Sequence, residues 1–311
     1  MQSSETAPPI DLLAIGETMA LVVPTTAEPL ETATDFHLAV GGAESNVACQ
    51  LAEAGRRAAW FSALGDDPLG RRVLTALAEH GVDTSRVRID ASAPTGLYVK
   101  DPGRGATYYR KGSAASRLTP EDLAGSGLSR ARVVHLSGIT LALSPSCREL
   151  VHAAIAAAHE AGALVSFDVN HRPALWPTAE EAATAILEAA RTADVVLVGR
   201  DEAAELWRTV TADAVRELLP DVPHLVVKDS DIEAVEFSPA GRAAVATPPV
   251  QVVEPVGAGD AFAAGWIDAL LSGHDAEERL ARGHAWAART LASMQDIPVR
   301  GAGSDGEEAS A

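Results

Sequence analysis

A chain of 311 residues with 47% hydrophobic side chains is long enough to bury the core of one large α/β domain, and a formal charge of −18 repels nucleic acid and anionic lipid, so neither is expected as a partner. Mean hydropathy is near zero, no run of about 20 apolar residues occurs, and the first residues lack a basic n-region, so neither a membrane span nor a secretory leader is expected. Two cysteines, Cys49 and Cys147, give no disulfide framework and no metal-ligand spacing, which points to a reducing compartment, the cytoplasm.

Short apolar runs predict strands at Leu12–Ile15, Ala58–Phe61, Val133–Leu136, Leu164–Phe167, Val195–Val198 and Leu225–Val227. Between them, helix-period segments predict helices at Ser45–Ala54, Leu69–Glu79, Arg148–Ala161 and Glu180–Arg191. The alternation predicts an α/β fold, a mainly parallel central sheet with helices on both faces. Two stretches break it. Phe36–Val40 reads as a lone strand, and Leu97–Lys100 and Thr107–Arg110 flank Asp101-Pro102-Gly103-Arg104-Gly105, a hairpin signal. Such strands predict a small separate sheet, a lid drawn from segments near 17–40 and 93–112. Ala258–Leu271 and Ala276–Ala292 close the chain as helices. Residues 1–300 are read as one domain, and 301–311, all Gly, Ala, Ser, Asp and Glu, as a disordered tail.

The segment from Val252 to Gly265 carries the most chemistry. A strand is read as ending before Pro255, and Gly257-Ala258-Gly259 turns into a helix that opens with Asp260. Successive N–H groups at a helix N-terminus form an anion site, which a transferring phosphoryl group needs. Asp260, expected to be held ionised by the helix dipole, is suited to accept a hydroxyl proton. The same tetrapeptide also fits a plain turn with Asp260 as a helix cap.

Glu254-Pro255-Val256-Gly257-Ala258-Gly259-Asp260 closely resembles the C-terminal Asp-Thr-x-Gly-Ala-Gly-Asp motif of the PfkB carbohydrate kinases, and Gly41-Gly42-Ala43-Glu44-Ser45-Asn46-Val47-Ala48 resembles their N-terminal motif. The likeness runs from about Leu12 to about Ser293. It implies a ribokinase-like fold with a small β lid, ATP and Mg²⁺ as cofactors, and a sugar as substrate. Asp260 would be the catalytic base, Gly257, Ala258 and Gly259 the anion hole. Lid strands in such folds can pair between subunits, so a homo-oligomer through the lid is also an expectation.

Gly96-Leu97-Tyr98, Tyr108-Tyr109-Arg110, His135–Thr140 and the segment Phe167–Trp176 are similar to the 2-keto-3-deoxygluconate kinase branch. That branch phosphorylates a sugar acid at its terminal hydroxyl. By this resemblance Gly42, Asn46, Tyr98, Tyr108, Arg110 and Arg172 would line the substrate pocket. The chemistry agrees, because a carboxylate approaching a chain of charge −18 needs a cationic anchor and Arg binds carboxylate bidentately. Arg110 could instead pair with Asp101, and Arg172 with Glu180 or Glu181. Strand alternation puts Tyr108 with Arg110 and sets Tyr109 on the opposite face, as a packing residue. Asp168 and Asn170 would point the same way if their strand continues; they fit the water shell of a Mg²⁺, which needs no direct protein ligands, and equally fit plain loop hydrogen bonding. His171 between them faces elsewhere and is given no role.

The nucleotide side departs from the pattern. Where the family carries Asn-x-x-Glu, the reading places Arg200 and Ala203, with Glu202 or Glu205 as shifted substitutes. Where Gly-x-x-Gly is usual stand Ser230-Asp231-Ile232-Glu233, and Glu254 replaces Asp. Lys228, Ser230 and His284 are the candidates nearest a nucleotide, although Lys228 also fits a surface lysine and His284 a packing residue. The favoured activity is ATP-dependent phosphorylation of 2-keto-3-deoxygluconate. Two alternatives stand: another PfkB sugar kinase, of fructokinase or ribokinase type, and a sugar-acid-binding protein with a decayed nucleotide site.

Overall fold

The computed structural model describes residues 9–253 and 256–293. In chain order the first half holds β1 (Ile10–Ile15), β2 (Met19–Pro24), β3 (Phe36–Gly41), α1 (Ala43–Glu53), β4 (Ala58–Phe61), β5 (Ala63–Gly65), α2 (Pro68–Glu79), β6 (Arg88–Asp90), β7 (Leu97–Asp101) and β8 (Gly105–Tyr109). After short 3-10 turns come β9 (Ala131–Ser137), α3 (Gly138–Ala142), α4 (Pro145–Ala161), β10 (Leu164–Asp168), α5 (Ala179–Arg191), β11 (Val195–Gly199), α6 (Arg200–Trp207), α7 (Ala212–Leu218) and β12 (His224–Asp229). The last elements are β13 (Glu233–Ser238), β14 (Gly241–Ala246), α8 (Ala258–Leu271) and α9 (Ala276–Leu291).

Eight strands form one sheet in the order β14-β13-β12-β11-β10-β9-β1-β4. Its pairs are parallel from β4 to β12, and the β12-β13 and β13-β14 pairs are antiparallel. The strand alternation decides which layer each side chain joins. Leu13, Ile15, Val134, Val196 and Val198 pack with α4 and α5, through residues such as Leu150, Ile155 and Ile186. Leu12, Ala14, Val133, Val195 and Leu197 pack the other way, against Leu51, Leu77, Trp266 and Leu280 of α1, α2, α8 and α9. Strands covered on both faces read as unbroken apolar runs, which is why they are legible one by one. The helices start where the sequence caps them. Asp67, Ser144, Thr178 and Asp275 each accept a first-turn N–H, and Gly162 ends α4 at φ 74.

The second sheet has four strands in the order β3-β2-β7-β8, with a small core of Met19, Leu21 and Tyr98. It stands over the C-terminal ends of the parallel strands. A third pair, β5 and β6, is short and parallel. Two details correct the sequence reading. No strand leads into Pro255, since β14 stops at Ala246 and Val253 donates its N–H to the Leu291 carbonyl. Tyr109 does not pack, being 63% exposed on the outer face of the small sheet. Glu254, Pro255 and the 301–311 tail lie outside the described residues. Among the described residues no helix is long and apolar enough to cross a membrane.

Candidate active site

A cleft of about 1230 Å³ opens between the small sheet and the C-terminal edge of the large one. Every residue singled out from the sequence as a site residue lines it. In open α/β sheets the strand C-termini are where ligand crevices form. Here β10 delivers Asp168, β11 delivers Gly199, and β12 delivers Lys228.

The floor is the start of α8. Gly257 takes φ 83, a left-handed conformation that glycine enters without strain, and this turns the chain into the helix. The first-turn N–H groups of Ala258, Gly259 and Asp260 have no carbonyl within the helix to bond, and they face a ligand space. Asp260 stands beside them. Its Oδ2 accepts the Asn46 amide N–H at 2.8 Å, from the second turn of α1. The expectation of an ionised Asp260 is corrected. Burial pushes its pKa up to about 8, Asp168 adds to that, and the Asn46 hydrogen bond, Arg172 and Lys228 oppose it. Desolvation here outweighs the helix dipole.

Lys228 sits between acids, with Nζ 3.4 Å from Asp168 Oδ2. Burial alone would lower its pKa, but Asp168, Glu202 and Asp260 together raise it, so it stays a cation. Glu202 accepts the backbone N–H of Gly199 and of His171, each at 2.8 Å. Burial and Asp168 raise its pKa. The half-buried acid of this loop therefore stands three residues after Gly199, not at Ala203. The Asn-x-x-Glu pattern is offset by one from the sequence reading, with Gly199 in the first position and Glu202 keeping the acid. Arg200, thought to stand in place of the Asn, turns instead to Asp229, Nε to Oδ2 at 2.7 Å, and neutralises one of the acids near the cleft. Ser230 adopts φ 41, so the turn keeps a glycine-like conformation without the glycine.

At the other end Tyr98 is buried and stacks on Tyr108, rings 5.4 Å apart. The Arg110 guanidinium lies 5.6 Å from the Tyr108 ring centre. Arg110 does not pair with Asp101. Its Nε and Nη2 bond Glu17 Oε2 at 2.7 and 2.5 Å. Arg172 is exposed, makes no ion pair among the described residues, and donates to the His171 carbonyl at 3.1 Å. Its suspected partner Glu181 is held by Arg148 at 2.7 Å. β10 ends at Asp168, and Asn170 at φ 37 bends the chain, so the two do not share a strand face. Both still reach the cleft, and so does His171, which is buried there and not turned away. Among the described residues Asp168 Oδ1, Asn170 Oδ1, Asn46 Oδ1 and His171 Nε2 are buried without a hydrogen-bond partner, and His171 Nδ1 lies 3.5 Å from Glu205 Oε2. Orphaned polar atoms gathered along one cleft mark a ligand surface. His284 contacts the Val245 carbonyl at 3.1 Å and meets Phe262 edge-on, beside an apolar end formed by Val250, Val252 and Leu291. Burial lowers its pKa, so the imidazole is neutral and Nε2 carries the proton donated to Val245.

Sequence reasoning gave neither Glu17 nor Glu44 a role. A carboxylate between two strands was the available signal. Glu44 is fully buried and accepts the Ser137 and Thr140 hydroxyls, each at 2.6 Å, which docks α1 onto the end of β9. Among the described residues no group of three or more His, Cys, Asp or Glu could hold a metal ion directly.

The family model described as "pfkB family carbohydrate kinase" matches residues 10–299. The 2-dehydro-3-deoxygluconokinase of Thermoproteus tenax is 37% identical, over 87% of this chain and 85% of its own. The 2-dehydro-3-deoxygalactonokinase of Haloferax volcanii is 35% identical, covering 93% of each chain. Fructokinase-1 of Oryza sativa subsp. japonica is 39% identical over 81% of this chain and 80% of its own. Among solved structures, a PfkB protein from Polaromonas sp. JS666 superposes with a TM-score of 0.86 at 37% identity, over 92% of this chain and 97% of the other. The 2-dehydro-3-deoxygluconokinase of Thermotoga maritima gives 0.85 at 25% identity, over 94% and 95%.

Proposed function

The chain belongs to the pfkB family of carbohydrate kinases, and from that premise we propose that it transfers the γ-phosphoryl group of ATP to the terminal hydroxyl of a sugar acid, 2-keto-3-deoxygluconate. The carrying observation is the pairing of an orphaned N–H turn at Gly257–Gly259 with a carboxylate, Asp260, that is held by Asn46 within one cleft. Asp260 takes the hydroxyl proton as the oxygen forms its bond to phosphorus and the bond to the ADP oxygen breaks. The N–H groups face the equatorial oxygens of the group in transfer. A base with a pKa near 8 is well matched to a hydroxyl proton at neutral pH.

Three cations serve the two ends. Arg172, free of ion pairs among the described residues, and Arg110 meet the acid group of the sugar, with Gly42, Tyr98 and Tyr108 around it. Lys228 meets the phosphates. The apolar end near Val250, Ser230 and His284 takes the nucleoside. The unpartnered Asp168 Oδ1 with Glu202 fits a hydrated cation, and these two residues would hold Mg²⁺ through its water shell. A bound Mg²⁺ supplies neutralising charge to the phosphate oxygens. The small sheet acts as the lid of residues 1–300 and offers an edge for a homo-oligomer. The enzyme works in the cytoplasm.

A neutral-sugar kinase is the second reading. It is favoured by one observation, the Glu17 carboxylate that already neutralises Arg110. A binder with no transfer chemistry has no use for the Asp260 arrangement. ADP release by the purified protein with Mg²⁺ and ATP, offered 2-keto-3-deoxygluconate, fructose or ribose, separates the readings. Turnover of the keto acid that collapses in Asp260→Asn supports the proposal, and turnover of the neutral sugars alone overturns it.

A further inference from the structure

The chain passes between the two sheets four times: at Gly16–Thr18 entering β2, at Gly42 leaving β3, at Thr95–Gly96 entering β7, and at Arg110–Ser113 leaving β8. All four passages meet at one residue, three of them at its buried carboxylate and the fourth at its backbone carbonyl. Glu17 has a fully buried side chain. Its Oε2 accepts the Nε and Nη2 hydrogens of Arg110, and its Oε1 accepts the Ser113 hydroxyl at 2.6 Å. The other two passages close on it through missing side chains. A Cβ on Gly96 would lie 2.8 Å from Glu17 Oε1, and one on Gly42 would lie 2.3 Å from the Glu17 carbonyl oxygen. Backbone bonds draw the same passages together, Ala20 N–H to the Gly96 carbonyl at 3.0 Å and Ala114 N–H to the Pro94 carbonyl at 2.8 Å.

The arrangement fixes Arg110 as well as the sheet. With Nε and Nη2 committed along one edge of the guanidinium to Glu17, the hydrogens left for a ligand lie on the end carrying Nη1. The Tyr108 ring, itself stacked on buried Tyr98, limits the remaining rotation. The two Arg110 N–H groups on Glu17 Oε2 can only donate, and a carboxylate meets them with a charge that an amide lacks, whereas the Ser113 hydroxyl can turn to accept from an amide.

We propose that Glu17 is a positioning residue. Its carboxylate pins three of the passages between lid and body and presents the free end of Arg110 to the acid group of the substrate. This rests on the sugar-acid reading above. A double-mutant cycle on the full chain tests it, with Glu17→Gln, Arg110→Gln and both together, reading KM and kcat for 2-keto-3-deoxygluconate and for ATP. Glu17→Gln should raise the sugar-acid KM by about tenfold, the size of one charge-assisted hydrogen bond, while the ATP KM stays within about twofold. Added to Arg110→Gln, it should cost nothing further, because its effect runs through Arg110. Glu17→Asp should restore part of the loss. Additive effects, an equal loss on ATP, or a lower sugar-acid KM from a liberated Arg110 would each overturn the proposal. If Glu17→Gln does not fold, Ser113→Ala takes its place in the same cycle, with a KM rise of about threefold. If the wild type phosphorylates only a neutral sugar, the sugar-acid reading fails. The cycle is then read with that sugar, where non-additivity keeps the pin and additivity ends it.

Discussion

Asp260 is the residue on which the chemistry turns, and its protonation can be read two ways. Its pKa of about 8 lies above the ordinary value of 3.8, with burial as the main cause. Between those values the folded protein holds a proton that the unfolded chain has released, so stability falls as pH rises across that window. Asp260→Asn removes this dependence. It should therefore raise Tm relative to wild type at pH 8, with the gain vanishing near pH 4, as a thermal-melt series would show. The same substitution should lower kcat by about 10² to 10⁴, the range of a lost general base. In wild type, kcat/KM should climb about tenfold per pH unit below pH 8 and level off above it. Asn46→Ala removes a hydrogen bond that lowers the Asp260 pKa, so the climbing limb should move to higher pH by about one unit. Asp260 was legible because small residues before a helix fit an anion site and because Glu254–Asp260 resembles the C-terminal motif of the family. Its pKa was not, since the dipole is visible in sequence and burial is not.

At the scale of elements, what could be read depended on where the charges lie. β1 and β11 are covered on both faces and carry the apolar runs Leu12–Ile15 and Val195–Val198, while β9 and β10 stay legible although His135 and Ser166 interrupt theirs. The hairpin β13-β14 was missed although Pro239 and Gly241 mark its turn. Its strand is interrupted by Glu236, which is fully buried and bound by Arg279, His224 and Trp266. A buried ion pair looks in sequence like a surface position. The one-residue offset at Gly199–Glu202 has a similar origin, because Glu202 is recognised only by the N–H groups it accepts. The turn at Ser230 holds a non-glycine residue at φ 41, which costs about 1 kcal/mol. Ser230→Gly should thus raise Tm by about 2–4 °C in thermal melts. Arg200→Ala uncovers Asp229 beside the phosphate end, and the ATP KM should rise about three- to tenfold in steady-state assays.

For the molecule as a whole, a charge of −18 opposes both proposed substrates. Raising ionic strength from about 10 to 150 mM shortens the Debye length from about 30 to 8 Å. The KM of the acid substrate should fall about two- to fivefold over that range, and that of a neutral sugar should stay flat. Such a global field makes local cations decisive, and the cleft sets Arg172, without an ion pair among the described residues, against an Arg110 already neutralised by Glu17. The most direct measurement is the ratio of kcat/KM for 2-keto-3-deoxygluconate to that for fructose, in wild type and in Arg172→Gln. A sugar-acid kinase should favour the acid by about 10² or more, with the ratio collapsing in the variant as the acid term falls and the fructose term holds. A ratio near or below one, unmoved by Arg172→Gln, would contradict the account and return both arginines to structural roles.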